Sequence, residues 1–209
     1  MNIVLIGIQG CGKGTLVSGL EQHIDFDLIS VGQLLRDEVA TGSELGEHIR
    51  QIQERGQLVD LDIVMEAVNK KLNTSTKSIK IFDGFPRSAE QADALDKIAN
   101  VDLVLHLELS KDVAIDRILN RLTCKDCGYI TKKQNVESNI CPKCNGVLSS
   151  RTDDTIDAIN KRFELYHNET YPLLARYQSK GVVVNVDANR TPDEVLKDVL
   201  KVINNEYKY

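Results

Sequence analysis

The amino-acid sequence predicts an α/β fold, with a doubly wound parallel sheet of five strands and two inserted subdomains. Two observations carry this prediction. Five short apolar runs are each followed by a segment with apolar residues at i, i+3 and i+4, which is typical of parallel strands covered by helices. Two longer polar stretches interrupt this alternation, and 209 residues suffice for one core with insertions.

The predicted strands are apolar runs of the length of a buried strand. They are Ile3–Gly7, Asp27–Ser30, Ile79–Asp83, Leu103–Leu107 and Val182–Val186. Serines precede several predicted helices and glycines follow others, which is how helix starts and stops are marked in sequences. The predicted N-caps are Ser30, Ser88 and Ser110, and the predicted stops are Gly42, Gly56 and Gly181.

The two stretches that interrupt the alternation are predicted to be insertions into one core. Residues 31–59 hold two polar helices with no strand between them. Residues 122–158 are polar, rich in turn residues, and contain four of the five cysteines. Neither stretch has the apolar run that a further strand of the central sheet would need.

The composition limits the class of protein. With 26 Lys and Arg against 31 Asp and Glu, the formal net charge is −5, which is unfavourable for general nucleic-acid binding. No stretch approaches the ~20 apolar residues of a membrane helix, and the N-terminus has no basic leader. We therefore expect a cytoplasmic protein without a nucleic-acid or membrane partner, in which an anionic ligand is held by local cations and amides.

A glycine-rich loop joins the first predicted strand to a helix. Its sequence is GIQGCGKGT, residues 7–15. Glycines let successive N–H groups turn toward one anion, the helix adds its positive end, and Lys13 supplies a mobile charge. The strict pattern has Ser or Thr directly after the lysine, whereas here Gly14 intervenes before Thr15. The loop predicts a phosphate site of the P-loop NTPase type, in preference to a merely flexible turn.

An acidic residue ends the third predicted strand. Asp83 stands in the segment IKIFDGFPR, residues 79–87, at the carboxyl end of a buried strand. An acid beside a phosphate loop can position Mg²⁺ or its waters. The alternative is a turn-initiating aspartate before Gly84, which is common in α/β proteins. Because a phosphate loop is predicted nearby, the metal-positioning role of Asp83 is favoured over the turn role.

Two cysteine pairs predict a metal site in the second insertion. Their spacing, C-x2-C-x13-C-x2-C, indicates a four-thiolate Zn²⁺ site, with Gly128 and Gly146 helping each pair to turn. The predicted ligands are Cys124, Cys127, Cys141 and Cys144. Four thiolates complete a tetrahedron, so the zinc would be structural rather than catalytic. A labile redox disulfide pair is the alternative, and Cys11 is expected to be a small filler in the phosphate loop.

The ordered motifs resemble those of the adenylate kinases, within the nucleoside monophosphate kinases. They are GIQGCGKGT, ISVGQLLR, TGSELG, GQLV, DGFPR with Gln91, DRILNR, RTDD and KRFELY. The resemblance implies a monomeric enzyme that uses Mg²⁺ in the reversible reaction ATP + AMP ⇌ 2 ADP. It also implies a core of residues 1–29, 60–121 and 159–209, a monophosphate-binding insertion at 30–59, and a zinc-binding lid at 122–158.

The resemblance assigns roles residue by residue. The residues it implies for ATP are Gly10, Cys11, Gly12, Lys13, Gly14, Thr15, Arg117 and Arg121. Those it implies for AMP are Val31, Arg36, Leu58, Val59, Gly84, Arg87, Gln91, Arg151 and Arg162. The catalytic set is Lys13, Asp83, Arg87, Arg121, Arg151 and Arg162. Asp153 and Asp154 would pair with arginines as the lid shuts.

Arginine suits such a site because its planar fork grips two phosphate oxygens and stays charged when water is excluded. For any single arginine, the alternative is a solvated surface charge. Arg117 and Arg121 are four residues apart, so we expect them on one face of a helix. None of the four histidines has the spacing of metal ligands, and His106 is expected to be a core residue.

Several residues depart from the pattern of the adenylate kinases. Gln9 stands where proline is usual, Val31 where threonine is usual, and Gln33 where aspartate is usual. Valine lacks the threonine hydroxyl that would bond adenine, and the loss of one neutral hydrogen bond is worth ~1 kcal/mol, or about fivefold in AMP affinity. Thr131 and Lys132 stand where Tyr-His is common, which leaves the donor preference open between ATP and GTP.

Two alternatives to an adenylate kinase stay open from sequence. A sister kinase acting on UMP or CMP is opposed by Gln91, which the resemblance places on the adenine edge of AMP. Gln91 has its own alternative, since Ser88-x-x-Gln91 is a capping box in which the glutamine bonds the cap amide. The other alternative is a P-loop protein with a zinc-ribbon nucleic-acid module, which would need more basic and aromatic residues near the cysteines.

Overall fold

The computed structural model describes residues 1–151 and 153–206, which form two β-sheets and the helices around them. The strands are β1 (Asn2–Ile6), β2 (Asp27–Ser30), β3 (Lys80–Asp83), β4 (Leu103–Glu108), β5 (Arg121–Cys124), β6 (Ile130–Lys132), β7 (Leu148–Ser149) and β8 (Val183–Asp187). The larger sheet has five parallel strands in the order β2-β3-β1-β4-β8. Its strands lie within one residue of the five predicted ones, which confirms the predicted fold class.

The helices follow the predicted alternation with strands. They are α1 (Lys13–Leu20), α2 (Val31–Ala40), α3 (Glu44–Glu54), α4 (Leu61–Asn73), α5 (Ala89–Asp96), α6 (Lys111–Leu119), α7 (Ile156–Leu165), α8 (Leu173–Ser179) and α9 (Pro192–Glu206). A 3₁₀ turn spans Lys133–Asn135, and a π-helical turn at Tyr166–Thr170 leads from α7 toward α8. Within the described ranges, no helix is both long and apolar enough to cross a lipid bilayer.

The core explains why the strands are apolar throughout rather than alternating. Ile3 and Val4 of β1 are adjacent in sequence and point to opposite faces, and both are fully buried. Helices cover both faces of a doubly wound parallel sheet, so each face must be apolar. The ligand crevice of such a sheet lies at the carboxyl ends of its strands. Pairing of Leu5 with Asp83 brings the end of β3 beside the loop that follows β1.

The predicted helix caps have different outcomes. Ser88 accepts a hydrogen bond from the backbone N–H of Gln91 at 3.3 Å, as an N-cap should. Ser30 and Ser110 precede α2 and α6, but their side chains make no capping bond. The Ser30 hydroxyl instead donates to Asp83 Oδ2 at 3.2 Å, because β2 and β3 are paired in register there. Gly42, Gly56 and Gly181 all have positive φ and follow helices, as predicted.

The two stretches predicted as insertions have different architectures. Between β2 and α4 the chain forms α2 and α3, with no strand. The cysteine-bearing stretch forms an antiparallel sheet in the order β6-β5-β7. Its small core consists of four buried residues, Leu122, Cys124, Cys141 and Leu148. Thr152 of the RTDD motif and residues 207–209 of the predicted core segment lie outside the described residues.

Candidate active site

The loop after β1 has the conformation of an anion-binding loop. Gly10 and Gly12 have φ of 86° and 101°, which residues with a Cβ rarely adopt. A Cβ on Gly10 would lie 2.7 Å from the carbonyl oxygen of Ala114, so α6 packs directly against the loop. Lys13 begins α1, and its Nζ donates to the carbonyl oxygen of Gly7 at 2.7 Å. The lysine therefore holds its charge over the loop.

A cavity of about 500 Å³ extends from this loop to α2 on one side and to β6 on the other. Every residue predicted to bind a nucleotide or act in catalysis lines it. These residues are Gly10, Cys11, Gly12, Lys13, Gly14, Thr15, Val31, Arg36, Leu58, Val59, Asp83, Gly84, Arg87, Gln91, Arg117, Arg121, Arg151 and Arg162. The fold thus brings together residues from eight separate segments of the chain.

Two arginines meet at one side of the cavity. A Cβ on Gly32 would lie 3.3 Å from Arg36 Nη1 and 3.9 Å from Arg87 Nη2, so both guanidinium groups face the start of α2. Arg87 Nε donates to the carbonyl oxygen of Gly84 at 2.8 Å, which orients its fork. Burial lowers the pKa of each arginine, and the carboxylates of Asp153 and Asp83 only partly offset this. The pair would be stabilised by an anion.

Arg121 and Arg162 are held by two carboxylates between β7 and α7. Arg121 Nη2 donates to Asp154 Oδ2 at 2.6 Å, and Arg162 Nη2 donates to Asp153 Oδ2 at 2.6 Å. All four side chains are at least four-fifths buried. Burial acts to raise the pKa of Asp153, but Arg162 outweighs it, and the pKa lies below its usual value. The two carboxylates therefore position the two arginines.

Arg151 has no ion-pair partner in the part of the chain that the structure describes. Burial, and then the charges of Arg121 and Arg36, lower the pKa of Arg151 to about 10. Its Nε is buried and makes no hydrogen bond with any described residue. Since like charges gathered in a partly buried site repel one another, the cavity holds an excess of positive charge that favours polyanions.

Arg117 of α6 lies beside Gly12 of the phosphate loop. Its Nη2 donates to the carbonyl oxygen of Ala188, after β8, at 2.9 Å. The prediction that Arg117 and Arg121 share a helix face is wrong. Helix α6 ends at Leu119, and Arg121 is the first residue of β5. The chain turns after Asn120, so the two arginines reach the cavity from different elements.

Asp83 fits the predicted magnesium role. It ends β3, lines the cavity, and accepts one hydrogen bond, from Ser30. Its other oxygen accepts no hydrogen bond from the described residues, so it could reach Mg²⁺ or a water bound to Mg²⁺. Carboxylate oxygens and waters are the ligands that Mg²⁺ prefers.

The four cysteines of the β5–β7 region converge as a metal site requires. Their sulfurs all lie within 4.8 Å of one another, and none is in a disulfide. Cys124 Sγ is 3.4 Å from Cys144 Sγ, and Cys127 Sγ is 3.6 Å from Cys141 Sγ. A tetrahedral zinc with Zn–S bonds of ~2.3 Å requires S···S edges of about 3.8 Å, so the cluster fits the ion. Backbone N–H groups of Cys127 and Asp126 lower the pKa of Cys124 to about 7, which favours the thiolate.

The glycine prediction for the cysteine turns is partly wrong. Gly128 follows the first pair with φ of 71°, but after the second pair it is Asn145 that has positive φ, at 61°. Gly146 contributes space instead, because a Cβ there would overlap the Asp126 carboxylate and lie 3.1 Å from Cys124 Sγ. Each pair is thus followed by one left-handed residue that turns the chain.

Comparisons with known proteins agree with this geometry. The model of the adenylate kinase family matches residues 5–182. The chain belongs to the adenylate kinase family. An adenylate kinase of Treponema denticola is 37% identical over 200 residues, covering 94% of this chain and 96% of that protein. Those of Thermosipho africanus and Methanosarcina acetivorans are 36% and 35% identical, covering 97% of this chain and 99% and 98% of theirs. The chain is therefore a nucleoside monophosphate kinase.

The two ends of the Gln91 side-chain amide have different surroundings. Its Oε1 accepts a hydrogen bond from the backbone N–H of Arg87 at 2.9 Å, one residue before the predicted cap amide of Ser88. The glutamine therefore bonds the backbone N–H of Arg87 and not, as a capping box would require, that of the N-cap residue. Its Nε2 makes no hydrogen bond with the described residues, and the side chain lines the cavity. One end of the amide orders the start of α5, and the other is available to a ligand.

Val31 and Gln33 lie near the Arg36–Arg87 side of the cavity. Val31 is 4% exposed and lines the cavity with Leu35 and Val64, which makes this wall apolar. Gln33 Oε1 accepts a hydrogen bond from Arg36 Nη2 at 2.9 Å. Its role is to orient Arg36, which the sequence analysis missed, although the i, i+3 spacing on α2 was a usable signal.

Other supporting residues gave no signal in the sequence. Thr170 Oγ1 donates to the carbonyl oxygen of Arg87 at 2.8 Å, from the π-helical turn. Arg162 Nη2 also donates to the carbonyl oxygen of Gln53, at the end of α3. His106 is buried and is hydrogen-bonded to Tyr166 and Asn185, which agrees with its expected core role. These contacts join residues 60 to 109 positions apart, which only the packing of elements determines.

Proposed function

We propose that this chain catalyses the reaction ATP + AMP ⇌ 2 ADP with Mg²⁺, as the adenylate kinase family does. The observation that carries the proposal is the excess of buried positive charge in one cavity, shared by the phosphate loop and the arginine cluster. Two nucleotides that meet through their phosphates supply the matching negative charge. We also propose that residues 1–29, 60–121 and 159–209 form the core, 30–59 the AMP-binding insertion, and 122–158 the lid.

The donor and acceptor phosphates would occupy opposite sides of the cavity. The phosphate loop and Lys13 would bind the ATP phosphates through N–H groups and an ammonium group. Arg36 and Arg87 would bind the AMP phosphate, whose oxygen is already anionic and needs no base to attack. The enzyme's contribution is then in-line positioning and charge neutralisation rather than proton abstraction.

Three further arginines would surround the transferred phosphoryl group. Arg121 and Arg162 approach from the lid side and from α7, and their carboxylate partners keep one edge of each fork occupied and the rest oriented. Arg151, without such a partner, would have its charge balanced only when phosphate is present. Asp83 would hold Mg²⁺ or its waters, which would supply positive charge opposite the phosphates.

The lid would exclude water from the reacting groups. A Cβ on Gly14 would lie 2.9 Å from Ile130 Cδ1, so strand β6 packs directly over the phosphate loop. Water in this space would accept the phosphoryl group in place of AMP. We propose that the four cysteines hold a structural zinc, because the apolar core of this segment, among the described residues, is the small cluster of Leu122, Cys124, Cys141 and Leu148.

The cysteines support a cytoplasmic location, and the cavity supports a monomeric enzyme. Zinc-binding thiols must remain reduced, which suits the cytoplasm. One chain supplies both the proposed donor side and the acceptor side, so the reaction requires no second copy, and we propose a monomer with ATP and AMP as its partners. Sedimentation at micromolar concentration measures the assembly, and a dimer would contradict it.

The proposed function is tested with a panel of nucleoside monophosphates in a coupled assay with Mg·ATP. We expect kcat/KM for AMP to exceed that for UMP, CMP and GMP by at least tenfold. Replacing ATP by GTP in the same assay measures the donor preference. Faster turnover of UMP or CMP than of AMP would identify a sister kinase and overturn the assignment of the acceptor.

Changing Val31 to threonine tests the apolar wall of the acceptor site. The substitution adds a hydroxyl at nearly constant shape, and we expect the KM for AMP to fall about fivefold, because one neutral hydrogen bond is worth ~1 kcal/mol. Val113→Thr, on the exposed side of α6, is the matched control and should leave KM unchanged. An unchanged KM in Val31→Thr would place the adenine elsewhere.

A further inference from the structure

Gln9 links the phosphate loop to the segment between the lid and α7. Its Nε2 donates to Asp154 Oδ1 at 2.8 Å, which joins two residues 145 positions apart. The bond joins the phosphate loop to a segment far from it in the chain.

The acceptor of this bond is the carboxylate that holds two of the arginines. Asp154 Oδ2 accepts from Arg121 Nη2 at 2.6 Å, and Oδ1 lies 3.6 Å from Arg162 Nη1. Its side chain is only 6% exposed. Asp154 thus accepts hydrogen bonds from the phosphate loop and from β5, and it forms an ion pair with Arg162 of α7. Of these three partners of Asp154, Gln9 is the one that belongs to the phosphate loop.

The orientation of the Gln9 amide is specific to this contact. Its Oε1 is buried and makes no hydrogen bond with any described residue. Turning the amide over would place Oε1 against the Asp154 carboxylate and lose the bond. The packing therefore leaves an acceptor unsatisfied in order to present the N–H group to Asp154, as expected where a hydrogen bond to a charged group outweighs one to a neutral group.

We propose that Gln9 is a positioning residue that holds Asp154, and with it the base of the lid, against the phosphate loop. The bond closes the donor site, since β6 packs over Gly14 in this same arrangement. Gln9 acts through Asp154 and not by binding the nucleotide. The inference rests on the proposed function, because it assigns the phosphate loop to the donor nucleotide.

The first test replaces Gln9 by methionine, which keeps the length of the side chain without its donor. We expect the Kd of a non-hydrolysable ATP analogue to rise about five- to tenfold, the scale of a lost hydrogen bond to a charged group after partial compensation. The KM for ATP should rise by a similar factor, with kcat no lower than in the wild type, because lid opening is not slowed. The Kd of AMP alone should change less than twofold. Gln178→Ala, on the exposed side of α8, is the control and should change none of these values.

The second test replaces Gln9 by glutamate, which has the same shape but sets a carboxylate against Asp154. We expect a larger loss of analogue affinity than in Gln9→Met. A Gln9→Glu protein that binds the analogue as tightly as the wild type would overturn the proposal, as would a Gln9→Met protein with a lower kcat and an unchanged Kd.

A double-mutant cycle separates action through Asp154 from contact with the nucleotide. In an Asp154→Ala background, Gln9→Met should have no further effect on the Kd of the analogue. If the full five- to tenfold effect persists there, Gln9 touches the nucleotide and the proposal is wrong. These titrations do not depend on turnover. If the protein fails to phosphorylate AMP, the proposed function is refuted, but the analogue titrations still decide whether Gln9 acts through Asp154.

Discussion

Replacing Arg87 with alanine is expected to lower kcat/KM for AMP by on the order of 10³ while leaving the melting temperature nearly unchanged. The loss of activity follows from removing a two-pronged donor whose interactions with phosphate strengthen as charge develops in the transition state. Arg87→Lys should recover only part of the rate, because an ammonium group restores the charge without the planar fork.

The small change in stability has a separate physical reason. Burial lowers the pKa of Arg87, so the charged side chain is less stable in the fold than in water, and Arg162 and Arg36 repel it. Its removal costs the hydrogen bond to Gly84 and some packing but relieves that repulsion. We expect a net change within ~1 kcal/mol, which is about 2–4 °C for a chain of this size.

Arg176 provides the matched control for Arg87. It pairs with Asp93 and Asp96 at 2.6 and 2.7 Å, outside the cavity. Arg176→Ala should keep full activity and lose at most ~1 kcal/mol of stability, as exposed ion pairs do. Steady-state kinetics and calorimetry measure both variants. If Arg87→Ala keeps more than a tenth of the wild-type kcat/KM, the acceptor phosphate does not bind where we propose.

Loss of the proposed zinc should disable the proposed lid without unfolding the central sheet. The core of this segment is two leucines and two of the four clustered cysteines, with Tyr129 and Val136 packed beside it, so little apolar area would remain without the ion. Structural zinc sites contribute ~10–16 kcal/mol of binding free energy, far more than so small a core supplies. In Cys144→Ser we expect zinc content to fall from about one per chain to near zero. Phosphoryl transfer should fall at least a hundredfold.

Hydrogen exchange distinguishes a structural metal from a catalytic one. Amides of β5, β6 and β7 should lose protection in Cys144→Ser or after chelation, those of β1 and β4 should keep it, and the melting temperature should fall. Cys11→Ala, which spares the four lid cysteines, should keep its zinc and its lid protection. A stripped protein that melts like the intact one but is inactive would contradict the structural role. If a reductant alone removes the exchange protection of the amides of β5, β6 and β7, the cysteines form disulfides and do not bind zinc.

Much of the site could be predicted from local patterns. The phosphate loop was recognisable because glycine spacing and the strand-to-helix context are properties of nine consecutive residues. The cysteine spacing likewise predicted convergence of four sulfurs, which the structure shows. Even so, Arg121 was assigned to a helix when it begins β5, since i, i+4 spacing reports a shared face only while the helix continues.

Interactions between residues close in sequence determined the alternation of strands and helices, the anion-binding loop and the cysteine turns. Hydrophobic periodicity, backbone freedom and short spacing all act between near neighbours. The choice of partners required the folded molecule. Ser30 bonds Asp83 instead of capping α2, and Gln9 reaches Asp154 across 145 positions. Neither contact could be predicted from the side chain's own segment, because only the packing of segments around a shared, positively charged cavity brings its two residues together.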